Sequence, residues 1–288
     1  MRFLFILLVS FSVFGQKIPD THIFLFDIKT ENNDFEIGKG KIISQNKGYN
    51  NQPSFYDNEE LIYSGIRDGE TDIAQYNLKN SKTSWISNTP TGSEFSPQRI
   101  PETTDIAAVR LETSGLQLLY KYDYQTGKSK VLIPGAKIGY FAFYDQNKLL
   151  AAELGGSGLD LMSYDLEKNS SEKIITNIGR SIQKVPGNTT MSYTLPNDEG
   201  NFDIYLFDPD TGKSFFVCEL PDGTQDFTWL DANRILTGVG SKLYIFDTFG
   251  GEAWVKVADL TEYGITGITR LAVNAYGTKL ALVGNTSK

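Results

Sequence analysis

The sequence predicts an all-β protein: a six-bladed β-propeller with two-plus-two strand closure by its N- and C-terminal segments. Three observations carry this expectation. One short phrase returns six times: an apolar strand, an Asp or Asn, a polar turn and a second strand. The copies are IFLFDIKTEN (23–32), DIAQYNLKNSKTSWI (72–86), LQLLYKYDYQTGKSKVLI (116–133), LDLMSYDLEKNSSEKII (159–175), DIYLFDPDTGKSFFV (203–217) and KLYIFDTFGGEAWVKV (242–257). A repeat with this period is the mark of a propeller, in which each unit is one antiparallel sheet. The polar residue ending each first strand of the phrase (Asp27, Asn77, Asp123, Asp165, Asp208 and Asp247) recurs at intervals of 39 to 50 residues. Six such units fill residues 16–288, predicted to form one domain. The first and last units are half-units that complete each other.

Taken in order, the N-terminal copy supplies only strands three and four, at 23–28 and about 34–38. Blade two shows the full pattern: PSFYD (53–57), ELIYSGIR (60–67), TDIAQYNL (71–78) and TSWIS (83–87). Between strands three and four of later blades stand Thr126-Gly127-Lys128, Thr211-Gly212-Lys213 and Phe249-Gly250-Gly251, where glycine allows the positive φ of a short bulged hairpin. Strand three is apolar on both faces, as in Leu243-Tyr244-Ile245-Phe246, which predicts a sheet sandwiched between two others. The C-terminal GITRLAVNAYGTKLALVG (267–284) supplies strands one and two, hinged at Ala275-Tyr276-Gly277. Pairing the two ends closes the ring and leaves no edge open to aggregation. Seven blades, or two separate β domains, are the competing readings.

The wording of QPSFYDNEELIYSGIRDGETDIAQYNLKNSKTSWIS (52–87) and ITRLAVNAYGTKLALV (268–283) resembles the WD40-like, TolB-type propeller repeat of bacterial envelope proteins. Tyr56-Asp57-Asn58 and Asn274-Ala275-Tyr276-Gly277 replace that family's usual Ser-Pro-Asp-Gly turn. The resemblance implies an exported propeller that acts by binding a protein partner. The additional α/β domain of TolB has no counterpart here, so TolB's specific envelope role is not carried over.

Met1 to Gly15 reads as a secretory signal: a basic start, an apolar run from Phe3 to Phe14 and compact residues at the cut. It is short for a membrane span, although a retained anchor is the alternative. The mature chain is expected to be periplasmic or secreted, with no membrane insertion after cleavage. The full sequence's formal charge of −8 and lack of a basic stripe exclude the usual nucleic-acid partner, and weakly favour cationic or neutral ligands. Cys218, the only cysteine, cannot form an internal disulfide and reads as a small packed hydrophobe.

No motif for catalysis stands out. His22 is the sole histidine and no G-x-S-x-G elbow accompanies it, so a Ser-His-Asp triad is not expected. One His and one Cys make no transition-metal site, and neither metal nor cofactor is expected. Gly155-Gly156-Ser157-Gly158 joins two strands and opens no helix, unlike a phosphate-binding loop. Asp208-Pro209-Asp210-Thr211-Gly212 lacks the later ligands of a calcium loop. The residues preceding the innermost strands are expected to line the channel mouth: Gln52, Glu94, Gln98, Tyr140, Arg180, Gln183, Asp226 and Arg270. They suit a polar pocket, but their two carboxylates fall in blades three and six, across the ring, and Arg180 and Arg270 can equally serve to neutralise those acids. Arg67, Asp68, Asp198 and Glu199, in loops joining strands two and three, are candidate partner contacts on the same rim. Two functions compete. The first is a non-catalytic module binding an envelope protein or polar small ligand at the channel mouth. The second is a lactonase- or glycoside-acting hydrolase or lyase using channel carboxylates, with or without calcium.

Overall fold

The structure is a computed structural model describing residues 20–30, 34–156 and 158–286. The signal segment 1–15 lies outside the described residues, as does Ser157 of the glycine-rich loop. Blade one begins with β1 (His22–Lys29), β2 (Glu36–Ile37) and β3 (Lys41–Ile42). Blade two is β4 (Asn50–Phe55), β5 (Glu60–Arg67), β6 (Glu70–Asn77) and β7 (Lys82–Trp85). Blade three is β8 (Gly92–Arg99), β9 (Ile106–Glu112), β10 (Gln117–Tyr122) and β11 (Ser129–Ile133). Blade four is β12 (Ile138–Phe143), β13 (Lys148–Leu154), β14 (Leu159–Asp165) and β15 (Ser170–Ile175). Blade five is β16 (Ile182–Lys184), β17 (Met191–Pro196), β18 (Phe202–Asp208) and β19 (Lys213–Glu219). Blade six is β20 (Phe227–Trp229), β21 (Arg234–Val239), β22 (Lys242–Asp247) and β23 (Val255–Asp259). Finally β24 (Ile265–Val273) and β25 (Lys279–Thr286) return to blade one.

Six antiparallel sheets result, and the closure is the two-plus-two arrangement expected. In blade one β25 lies between β1 and β24, with Phe24 opposite Leu282 and Leu282 opposite Leu271. The outer strand, expected at about 34–38, is divided. β2 pairs with the end of β1 at Ile28 and Lys29, whereas β3 pairs with its middle at Phe24 and Leu25. Gly40 sits at the break because a Cβ there would run into the Phe26 ring.

The doubly apolar third strands pack on both sides, as their composition predicts. Leu243 and Ile245 of β22 join Phe24, Phe26, Leu280 and Leu282 of blade one, while Phe246 faces Ile204 and Cys218 of blade five. Burying each such side chain contributes about 1.5–3 kcal/mol, and the seams between blades supply the core. Cys218 is buried among these residues, and burial pushes its thiol up to about 12, away from thiolate chemistry.

The repeated Asp or Asn has a local cause. Asn77 Oδ1 accepts from the backbone of Lys79 and Asn80 (both 3.1 Å), and Asp123 Oδ1 from Gln125 and Thr126 (3.1 and 2.7 Å). Asp165, Asp208 and Asp247 do the same with Lys168, Asp210 and Phe249 at 3.0, 2.9 and 2.8 Å. Each anchor closes an Asx turn at the end of strand three. Within it Gly127 and Gly212 take φ of 67° and 68°, a conformation costly for other residues. Asp208 thus directs its carboxylate to its own turn, as the turn interpretation of 208–212 predicts. Asp27 instead pairs with Lys279 of β25.

Candidate functional site at the channel mouth

In an antiparallel blade, the strand-two-to-three loops and the crossovers between blades share one end of the ring. The innermost strands β4, β8, β12 and β24 carry bulges. On β4 the register shifts between Asn51 and Ser54, and on β8 between Phe95 and Gln98. On β12 it shifts between Ile138 and Tyr140, and on β24 between Ile268 and Leu271. A bulge re-aims side chains by inserting a residue into the alternation. Gln52 and Ser96 occupy the first two bulges at φ of 54° and 52°, each followed by a proline that brings no N–H to the ladder.

These bulges help to build a central cavity of about 80 Å³ lined by Gln52, Ser54, Ser96, Gln98, Tyr140, Arg180, Gln183 and Arg270 among others. Six of the eight residues expected at the channel mouth therefore converge on one space. Gln52 Oε1 accepts from the Ser96 backbone N–H (2.9 Å) and the Ser64 hydroxyl (3.1 Å), tying blade two to blade three. Gln98 Nε2 donates to the Phe141 carbonyl at 2.8 Å, tying blade three to blade four. Arg270 lies over the Tyr140 ring, 5.2 Å from its centroid, a favourable cation–π placement. Tyr49, which the sequence did not single out, lies near Arg270, Tyr140 and Arg180. Burial pushes its phenol up to about 12, so it stays neutral.

Asp226 is buried against both arginines. Arg180 Nε donates to Oδ1 at 3.1 Å and its Nη2 to Oδ2, while Arg270 Nη1 donates to Oδ1. Asp226 and Arg180 also border a neighbouring cavity of about 220 Å³ that includes Gly223, Thr224 and Thr269.

Glu94 lies elsewhere, in the seam between blades two and three and outside the lining of the central cavity. The reason is a repeated latch. Thr21, Thr71 and Gln117, at or just before the start of a third strand, donate to the carbonyls of Asn50, Glu94 and Ile138 on the next inner strand at 2.9, 3.1 and 2.8 Å. Glu94 occupies the latch position, ahead of the bulge. Its carboxylate accepts from Tyr122 Oη (2.9 Å) and Ser87 Oγ (3.3 Å) and pairs with Arg110 Nε at 3.2 Å. Ser87 shares that one proton with Asp72, the nearer acceptor at 2.8 Å, which Arg67 bonds at 2.8 Å. Asp72, Ser87, Arg110 and Tyr122 were not legible as a group, because they come together across blades.

Burial pushes Glu94 up to about 7 despite these partners. The folded chain therefore holds a proton there that the unfolded chain releases between about pH 4.5 and 7. Stability is fully present below that window and falls as pH rises through it, by about 3 kcal/mol from this group. Glu94→Gln removes the titration. Thermal unfolding at pH 5 and pH 8 is expected to show a smaller loss in the variant than in the parent; equal losses would assign the slope to other groups.

The loop candidates differ in freedom. Arg67 bonds Asp72, the Ser87 carbonyl and Asn88 Oδ1, and stacks 4.6 Å over Trp85, so it is structurally engaged. Asp68 is exposed at a φ of 55°, and Asp198 and Glu199 are exposed in the turn joining β17 and β18. His22 opens β1 opposite Gly284. Among the described residues, no group of three or more His, Cys, Asp and Glu is placed to hold a metal ion.

With this geometry the fold defines a TolB-like six-bladed propeller. TolB from Acinetobacter baumannii superposes with a TM-score of 0.60 at 11% identity, over 94% of this chain and 65% of that one. This chain therefore spans just under two-thirds of that TolB. A putative TolB from Agrobacterium tumefaciens gives a TM-score of 0.70 at 11% identity, covering 93% of this chain and 99% of that one. An oligogalacturonate lyase in complex with manganese is also similar, with a TM-score of 0.57, 12% identity and coverage of 92% and 86%. No protein-family profile and no curated protein sequence matches the chain. At these identities the likeness is one of fold, which hosts unrelated activities.

Proposed function

We propose that this chain is an exported, non-catalytic binding module of the bacterial envelope, periplasmic or secreted, that recognises a protein partner or polar ligand at the channel mouth. One observation carries the reading: polar side chains from several blades converge on the channel, while the two candidate catalytic carboxylates, Glu94 and Asp226, are each held by arginine in separate surroundings. Paired-carboxylate chemistry needs both groups facing one reacting bond. Export rests on the segment Met1 to Gly15, and the TolB-like fold supports the envelope setting. The exposed Asp68, Asp198 and Glu199 extend the same rim. Arg67 is the weaker contact, being already bonded.

The test is capture from an envelope fraction with the tagged chain. A partner held by the parent and lost with Arg180→Ala is the expected result. Retention by a folded Arg180→Ala would move binding off the channel. The resemblance to an oligogalacturonate lyase keeps a second reading, a channel-centred lyase or hydrolase. It requires turnover of a uronate, lactone or glycoside that Asp226→Ala abolishes.

A further inference from the structure

We propose that the central cavity seats one carboxylate group between Arg180 and Arg270. The proposal rests on the channel face being a binding surface, and it names the chemistry bound there. Two observations lead to it, one of charge and one of hydrogen-bond capacity.

Two guanidiniums share the single carboxylate of Asp226, leaving one excess positive charge at the cavity wall. Among the described residues no other carboxylate lies within salt-bridge distance of either arginine. Asp222 borders the neighbouring cavity with Arg180 but accepts from Asn201 at 3.0 Å. The Tyr140 ring offsets part of the charge on Arg270. A partly buried charge left without a counter-charge is destabilising, and a monoanion relieves it.

The polar groups of the lining point the same way. Behind the two arginines both oxygens of Asp226 already accept, and in the lining Gln52 Oε1 accepts twice. A guanidinium has five N–H donors; Arg180 uses two on Asp226 and Arg270 uses one. The hydroxyls of Ser54, Ser96 and Tyr140 and the side-chain amide of Gln183 have no bond to another described residue. The lining is thus rich in donors, while its strongest acceptors are occupied. An acceptor-rich ligand matches it, and a cation does not.

Shape narrows the class. A space of about 80 Å³ has room for roughly three waters, enough for a carboxylate and a short stem but small for a sugar ring with its substituents. A planar carboxylate suits the guanidinium fork, and its single charge equals the excess. The global charge of −8 suggested cationic or neutral ligands; the channel reverses that sign locally.

The group can belong to a free small carboxylate or to the C-terminus of a peptide. The experiment uses the folded chain at fixed ionic strength, titrated with sodium acetate, sodium chloride or acetamide, with binding read by thermal shift and NMR. Saturable binding of acetate, absent with chloride and acetamide, is expected. Arg270→Lys keeps the charge but loses the fork and should weaken acetate binding about tenfold. Asp226→Asn adds a second excess charge and should tighten it. Tri-glycine against its C-terminal amide separates the sources: acid binding tighter than acetate assigns a peptide terminus, and weaker or equal binding assigns a small carboxylate. Acetate acting no differently from acetamide, or equally on the parent and Arg270→Lys, overturns the proposal. If acetate fails while capture still depends on Arg180, the binding face stands and only the carboxylate falls.

Discussion

Asp226→Asn is expected to lower the melting temperature by roughly 5–10 °C. The side chain is 8% exposed and takes hydrogen bonds from two guanidiniums. Asn is nearly isosteric, so packing is retained while the charge goes. Arg180 and Arg270 then face each other with no anion between them. Removing one partner of a buried ion pair costs about 3–5 kcal/mol; the lower end applies here, because the Arg180 side chain is 35% exposed and keeps some hydration. About 3 kcal/mol converts to a shift of this size in a chain of this length. The double variant Asp226→Asn/Arg270→Gln removes one of the repelling charges and should recover part of the loss. Thermal unfolding of the three chains tests this. If the single variant melts with the parent, the arginines are hydrated independently and the channel mouth is not organised around Asp226.

The second large effect lies in the closure. Removing residues 279–288 deletes β25, which pairs with β1 from His22 to Asp27 on one side and with β24 on the other. Both neighbours lose a ladder, and Phe24, Phe26 and Leu271 lose Leu280 and Leu282 from their core. Among the described residues β25 is the strand that joins β1 to β24, so the chain is expected to lose its cooperative thermal transition. Leu282→Ala gives the graded version, about 2–5 kcal/mol for truncating a fully buried leucine. A cooperative transition in the truncated chain would show that blades two to six fold without the closure.

What was legible in the sequence follows from the range of each interaction. An Asx turn is local: Asp123 bonds residues two and three positions ahead, so its signal recurs wherever the turn does. The closure was legible because two incomplete patterns at the chain ends complement each other. The inner strands were harder. Strand one of blade two runs from Asn50 to Phe55, not from Pro53 to Asp57, because a bulge at Gln52-Pro53 breaks the alternation. The same device on β8 explains the placement of Glu94. An inserted residue changes which face each side chain takes, so Glu94 enters the seam while Ser96 and Gln98 line the cavity. Pro53 and Pro97, directly after the bulge residues of β4 and β8, were the available sign on those two strands. The pairing of Asp226 with arginines 46 and 44 residues away had no local pattern; only the mixture of acids and guanidiniums at the channel mouth pointed to it.

The central claim is that binding takes place on the channel mouth. Backbone hydrogen exchange of the chain alone and with its captured partner tests it most directly. The claim predicts added protection in β4, β8, β12 and β24 near their bulges and in the loops carrying Asp68 and Asp198, with the outer strands β7, β11, β15, β19 and β23 unchanged. Protection confined to those outer strands, with the bulges exchanging as before, would contradict it.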